Sequence, residues 1–576
     1  MGSSDDGHIA VLLDRCEGTL SNLLDEEMMR YIAGLPQVVS CDQDENLSSP
    51  QRLAKLTSRL TPGQADRVVI VGGSPRIYER SFRRLGVATG LNPYMFLVAN
   101  VREQVAWVIP DMERSKERAK AIVAKTVRQA TALSPIEQGK VEVPKDAVII
   151  GGGVVGIRAA LSLAGANIHV ILLTQAKDIG GKAIQLTHFY DRPDEASAWF
   201  TRQVEGVKKH PKIEVKTSVE LKRFEGHLGD YRLDIEDPAG RREVVKGAAV
   251  ILAAGYDVVP NTEGIFGHRR FISPPQMEAM LQDGGSPLMD EKGKPIQTVT
   301  FILDLVNETV KIDSANAVKN AILLKEDHDC TVHVVCRDLK VCLDDMEKQY
   351  RKAREMGIIF IKYDDPPKFS LVNGQIDIEV KEVSTRMRGD DYALSILSDL
   401  VVMSEQFVPS KNNEMLAEIL GVPLSQEGYF MEDNPQFTGV RVNRRGVFMA
   451  GGCRYPRPLD EALVEAEAAA SGVCALVSSG VYEYDLAVAE IDPAKCAACL
   501  TCPRVCPHSA IVVEKYAEKN VYLTTGYEED FKWSAARVLP TQCYGCGICV
   551  SSCPTKAITL KHQTDAEISL QMEASF

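Results

Sequence analysis

Near the C-terminus the chain reads CAACLTCPRVCP from Cys496 to Pro507 and, after a spacer, CYGCGICVSSCP from Cys543 to Pro554. Three cysteines spaced by two residues on a tight loop grip three corners of one cubane, and the fourth, followed by proline, crosses to a second cluster. The spacing therefore assigns Cys496, Cys499, Cys502 and Cys553 to one [4Fe-4S] cluster, and Cys543, Cys546, Cys549 and Cys506 to another. A pair of zinc sites or a disulfide framework is the alternative. Zinc takes its ligands in two pairs, however, and gives no reason for the third cysteine and the Cys-Pro of both copies.

With 576 residues, 45% of them hydrophobic, the chain can bury several cores, and three or four domains are expected. No apolar run reaches membrane-spanning length, and MGSSDDGH lacks a basic start followed by an apolar stretch, so a cytoplasmic location is expected. A net charge of -13 disfavours a nucleic-acid surface. The cysteines outside the two runs are scattered, unlike a disulfide scaffold.

Earlier, DAVIIGGGVVGIRAALSLAGANIHVILLTQ carries an apolar run, Ala147 to Ile150, into Gly151-x-Gly153-x-x-Gly156, then an Ala/Leu-rich helix and a second strand, His169 to Leu173. This is a βαβ unit with a dinucleotide fingerprint, in which glycines let the backbone approach a pyrophosphate at the helix N-terminus. The acidic residue expected for the ribose is replaced by Thr174, whose hydroxyl can make a weaker hydrogen bond. The Gly180-Gly181-Lys182 turn, VILAAGYDVVP (Val250 to Pro260) and the stretch from Gly446 to Gly472 resemble, in this order, the segments that hold FAD in flavoprotein disulfide reductases. The last runs into an Ala-rich helix whose N-terminal dipole can face the flavin.

A second nucleotide domain belongs between these segments. Its first strand, Val299 to Leu303, leads to Asp304-Leu305-Val306-Asn307 without glycine, so the backbone cannot approach a pyrophosphate in the usual way. The fold is expected to persist without its nucleotide, leaving the iron–sulfur clusters as the electron route.

Taken together, these stretches resemble the A-type subunit family of heterodisulfide reductase, the flavin and iron–sulfur component found in methanogens and in related bacterial complexes. SPRIYERSFRRLGVATGLNPYMFLVANVREQVAWV (Ser74 to Val108) and CRDLKVCLDDMEKQYRKAREMGIIFIKY add to the likeness, which runs from roughly Ile9 to Leu560. Several cysteines of the methanogen pattern are missing. GGKAIQLTHFYDRPDEASAWF has none, Gly72-Gly73 stands before Ser74-Pro75 where one is expected, and Cys16 with Cys41 cannot complete a four-thiolate site. This pruning resembles the A-type component of the heterodisulfide reductase-like complex of sulfur oxidisers.

The resemblance implies an α/β chain: an N-terminal domain (1–140), a thioredoxin reductase-like FAD domain in two parts (141–290 and 406–482) and a degenerate NAD(P)-type domain (291–405). A two-cluster, α+β ferredoxin domain (483–576) completes it. The expected FAD contacts are Gly151, Gly153, Gly156, Thr174, Gly180, Gly181, Lys182, Val219, Ala254, Gly255, Gly452, Cys453 and Ala462. Lys182 is expected to set a positive charge near the flavin ring and raise its potential. Cys453 is more simply a packing residue, and Cys330, Cys336, Cys342 and Cys474 are expected on apolar strands or an Ala-rich helix. The expected function is an oxidoreductase component passing electrons between FAD and two [4Fe-4S] clusters in sulfur oxidation. It would work with B- and C-type subunits, as a homodimer, without a membrane span. A flavin-bifurcating component partnered by a hydrogenase or formate dehydrogenase is the second reading. An NAD(P)H oxidoreductase resembling the glutamate synthase small subunit lacks its second glycine loop here, and a scaffold with a structural flavin is the non-catalytic alternative.

Overall fold

The computed structural model describes residues 8–573 except 57–59, 61–63, 191–195, 262–263, 283–287, 291–292, 306–309, 384–391, 438, 486 and 523–527. The chain forms two compact units, Val141–Tyr482 and a second made of Met1–Lys140 with Glu483–Phe576.

In the latter unit four parallel strands stand in the order Val38–Asp44, Ile9–Asp14, Arg67–Gly72, Phe96–Asn100. Successive side chains of a strand point to opposite faces. Ile9, Val11 and Leu13 accordingly pack with Met28, Ile32 and Val123, while Ala10 and Leu12 pack with Tyr78 and Phe82. Cys41 lies opposite Val11, about 10 Å along the strand from the end at Asp14 beyond which Cys16 sits. The C-terminal part of the unit pairs Ala489–Ile491 with Ile558–Leu560 and Ile511–Tyr522 with Glu528–Val538. It closes on the N-terminal part through helix Asp565–Glu573 against helix Met112–Ala130 and through His562 Nε2, 2.7 Å from the Ser134 carbonyl.

The Val141–Tyr482 unit contains two parallel sheets. The first has the order Val447–Met449, Ala249–Leu252, Asp146–Ile150, His169–Leu173, Ile213–Lys216. Strands Val447–Met449, Ala249–Leu252 and Asp146–Ile150 are buried on both faces and read as near-continuous apolar runs for that reason, whereas the edge strand Ile213–Lys216 carries charges. Helix Val154–Gly165 packs against the Ala-rich helix Leu459–Val477, whose Ala462, Ala466, Ala469 and Ala470 keep the two close. The second sheet has the order Phe271–Ile272, Leu400–Met403, Thr298–Ile302, Thr331–Cys336, Ile359–Lys362. A βαβ architecture is therefore present in the segment that lacks the glycine loop. Among the described residues no helix is long and apolar enough to cross a membrane.

Candidate functional site

A cavity of about 630 Å³ opens at the carboxyl ends of the first sheet. At Gly151 φ is +123°, and a Cβ there would lie 2.1 Å from the Ala253 carbonyl oxygen, so only glycine fits. A Cβ on Gly156 would lie 1.9 Å from the Gly151 oxygen, which fixes the close approach of helix Val154–Gly165 to its strand. That helix has no side-chain N-cap, and Gly153, Val154 and Val155 of its first turn line the cavity, an arrangement suited to an anionic pyrophosphate.

Of the expected FAD contacts, Gly151, Gly153, Thr174, Gly181, Lys182, Val219, Ala254, Gly255, Gly452 and Ala462 line this cavity. Three do not. Gly156 packs behind the loop, and Gly180 donates its N–H to the Gly152 carbonyl at 2.8 Å, bracing the loop from outside. Cys453 is fully buried, its Sγ 3.3 Å from the Ala450 carbonyl and 3.4 Å from that of Leu252, and burial pushes its thiol up to about 11. It packs, as lone buried thiols do. Thr174 accepts the Ala176 N–H at 3.3 Å and shapes the strand end. Cys330 and Cys336 are buried at the Thr331–Cys336 strand and Cys474 lies in the Ala-rich helix, but Cys342 is exposed in a loop rather than on an apolar strand.

Lys182 lines the cavity with its ammonium bonded to the Tyr256 carbonyl, 3.3 Å from Asp257 Oδ1 and 5.4 Å from the Tyr256 ring centroid. Burial works against ionised Asp257, but hydrogen bonds from the Lys411 N–H and Lys182 outweigh it and hold the carboxyl below its ordinary range. Deeper in, Glu278 and Lys319 form an ion pair 3% and 5% exposed at the side chain, and Glu278 also accepts the Thr187 N–H and hydroxyl at 3.0 and 2.6 Å. Burial this complete is tolerated only because each charge is met by the other and by hydrogen bonds.

Asp257, Glu278, Asp313, Glu405 and Arg457 also line the cavity, and none stood out in the sequence. Glu278, Asp313 and Glu405 come from the second sheet's side, a juxtaposition that only the tertiary fold creates. At the carboxyl end of that sheet Asp304, 1% exposed, accepts the Arg337 and Asp338 N–H groups at 3.0 and 3.3 Å. Asp304 thus ties the end of strand Thr298–Ile302 to the turn that follows strand Thr331–Cys336. Val306 and Asn307, part of the glycine-free segment, lie outside the described residues.

The eight cysteines of the two runs gather in two voids. One is lined by Cys496, Cys499, Cys502 and Cys553, the other by Cys506, Cys543, Cys546 and Cys549. These are the crossed sets that the spacing assigns. The two halves repeat in detail: Thr501–Val505 and Ile548–Ser552 are matching short helices entered through left-handed Leu500 and Gly547. Ala510 and Ala557 donate N–H to Cys506 and Cys553 Sγ at 3.4 and 3.3 Å, after left-handed Ser509 and Lys556. N–H groups aimed at sulfur suit thiolates that bind iron. Burial, then the neighbouring thiols Cys543, Cys506 and Cys546, push the Cys549 thiol up to about 11. No group of three or more His, Cys, Asp or Glu among the described residues converges on the position of a single metal ion. The thiols surround a space instead, as ligands of a cubane do.

A pyridine nucleotide-disulphide oxidoreductase family matches residues 78–271, and a 4Fe-4S dicluster domain matches residues 495–558. The chain is 26% identical over 615 residues to the second A-type iron-sulfur subunit of the CoB--CoM heterodisulfide reductase of Methanopyrus kandleri, covering 89% of this chain and 92% of that protein. The chain is a relative of the A-type subunits of heterodisulfide reductase. The A-type component of the H(2):CoB-CoM heterodisulfide,ferredoxin reductase of Methanothermobacter thermautotrophicus is 27% identical over 617 residues, covering 90% and 92%. Among solved structures, Lactococcus lactis thioredoxin reductase matches 58% of this chain and 99% of its own at 20% identity and a TM-score of 0.41. The chain is an oxidoreductase, and the two matched families imply FAD and [4Fe-4S] clusters.

Proposed function

We propose that this chain is the flavin and iron–sulfur component of a heterodisulfide reductase-like complex, carrying electrons between FAD and the two clusters. When bound, FAD supplies the step between two-electron and one-electron chemistry. The first turn of helix Val154–Gly165 would receive the pyrophosphate, Thr174 shapes the strand end where the ribose belongs, and Gly255 leaves open space beside it, while Gly181 and Gly452 let the cavity wall close on Gly153 and the Tyr256 ring. Helix Leu459–Val477 points its N-terminus into the cavity through Pro458, Leu459 and Asp460. Cys496, Cys499, Cys502 and Cys553 hold one cluster, and Cys506, Cys543, Cys546 and Cys549 the other.

The observation that carries the reading is the pairing of two four-thiol voids with a flavin cavity that no cysteine lines among the described residues. A thioredoxin reductase mechanism needs a redox dithiol at the flavin. The glycine-free Asp304-Leu305-Val306-Asn307 after the first strand of the second domain also disfavours NAD(P)H, so the clusters are the remaining route. The loss of cysteines from the 180–200 stretch and at Gly72-Gly73 supports a place in dissimilatory sulfur oxidation, beside B- and C-type subunits and as a homodimer in the cytoplasm. Two anaerobic experiments test this. NADH and NADPH should leave the flavin of the isolated chain oxidised, and fast bleaching without a partner would overturn the electron route. Affinity capture of the tagged chain should bring B- and C-type subunits with lipoate-binding proteins, whereas a hydrogenase or formate dehydrogenase would turn the reading to bifurcation.

A further inference from the structure

The carboxyl of Asp313 carries one of the cavity wall's oxygens that lack a hydrogen-bond partner among the described residues. It stands in the first turn of helix Lys311–His328, is 4% exposed and lines the cavity, and its Oδ2 has no hydrogen-bond partner among the described residues. A buried acceptor without a partner costs about 1–3 kcal/mol, so its persistence beside a ligand cavity calls for an explanation in terms of what enters there.

The groups around it favour the neutral acid. Glu405, after strand Leu400–Met403, and Asp304, after strand Thr298–Ile302, face it with negative charge, Tyr256 approaches from the start of strand Tyr256–Val259, and Lys340 from the loop after Thr331–Cys336. Burial first, then Glu405 and Asp304, hold the Asp313 carboxyl well above the usual range against the Val310 N–H and Lys340. On its own helix Lys311 is 2.8 Å from Glu461 and Lys319 is paired with Glu278, so neither compensates it. Lys182 and Arg457 line the same cavity, with Lys182 bound to Asp257 and Arg457 Nε 3.2 Å from Glu465.

We propose that Asp313 is the proton donor and acceptor of the flavin cavity. This rests on the reading of that cavity as the FAD site. The AMP half of the cofactor belongs with the glycine loop and Thr174, which leaves the part of the cavity walled by Lys182, Tyr256, Asp313 and Glu405 for the ring. Two reduced iron–sulfur clusters each give one electron and no proton, whereas two-electron reduction of a flavin also takes up a proton. The Asp313 O–H bond breaks as that proton passes to the ring, and the carboxylate left behind takes a proton from water entering the cavity. When the two electrons leave for the clusters, Asp313 first gives its proton back to water, and the carboxylate so formed takes up the proton that the ring releases. The burial and like charges that disfavour the carboxylate make its reprotonation favourable.

The test uses the full chain holding FAD and both clusters. A wild-type chain that binds no flavin would overturn both readings; one that binds flavin but shows no dependence of its reduction on Asp313 would overturn only this one. On rapid anaerobic mixing with dithionite at neutral pH, Asp313→Asn should bleach the flavin at least about tenfold more slowly than the wild type, at unchanged flavin content. It should also lose the slowing that the wild type shows in deuterium oxide, and Asp313→Glu should restore most of the rate. Wild-type bleaching with an unchanged isotope effect in Asp313→Asn would refute the proposal. Should that variant lose flavin, the wild type itself decides. Its reduced-minus-oxidised infrared spectrum should contain a protonated-carboxyl band, and a spectrum without one would refute the assignment.

Discussion

At Asp313 the fold stores a dependence of stability on pH whose sign follows from the direction of its shift. The unfolded chain gives up this proton near about pH 3.9, whereas the native state keeps it to a higher pH. Between those values the native state binds more protons, so this group's contribution falls as pH rises. Asp313→Asn, close in shape and permanently neutral, should melt above the wild type at mildly alkaline pH, with the gap closing towards about pH 4. Thermal unfolding followed by circular dichroism reads this, and a gap independent of pH would mean that Asp313 titrates as an ordinary carboxyl. Lys182 poses the opposite problem, a cation at the cavity whose field is shared with Asp257 at 3.3 Å. A positive charge near the ring favours its reduced, more negative forms. Lys182→Met should therefore lower the flavin potential while Asp257→Asn raises it, with the cluster potentials unmoved. A redox titration in which neither variant shifts the flavin would show that Lys182 does not tune it.

Between elements, the pseudo-symmetric ferredoxin part offers the sharpest test, because each void takes one cysteine from the other run. Cys506 lies after helix Thr501–Val505 yet shares its void with Cys543, Cys546 and Cys549. Replacing Cys506 with alanine should perturb the cluster of the later run, read by electron paramagnetic resonance of the reduced protein. Loss of the Cys496 cluster instead would show that the ligands do not cross. The Cys-Pro of each run, at Pro507 and Pro554, sits where the chain turns to make this exchange.

In the molecule as a whole, motifs with fixed local geometry were legible in the sequence. The two cysteine runs, the glycine loop after Asp146–Ile150 and the strand–helix alternation of the second domain all depend on spacing along the chain, and spacing is visible there. Cys453 illustrates the limit: adjacency to Gly452 suggested a flavin contact, but one residue further along a tight turn its side chain faces the core. Asp313, Glu405 and Glu278 were invisible for a related reason. Each is an ordinary carboxylate on a separate element, and only the fold brings them to one cavity. Thr174 and Asp304 mark departures from nucleotide-binding patterns that could be read as losses, but that Asp304 binds the Arg337 and Asp338 amides is visible only in the fold.

The central claim is that one chain joins FAD to two clusters in a single electron-transfer path, and an anaerobic dithionite titration of the purified protein followed by visible absorbance tests it most directly. The flavin and iron–sulfur bands should bleach within one titration that consumes about four electrons per chain, two for FAD and one for each cluster. A flavin that stays oxidised after the cluster bands have bleached, or an endpoint near two electrons, would contradict it.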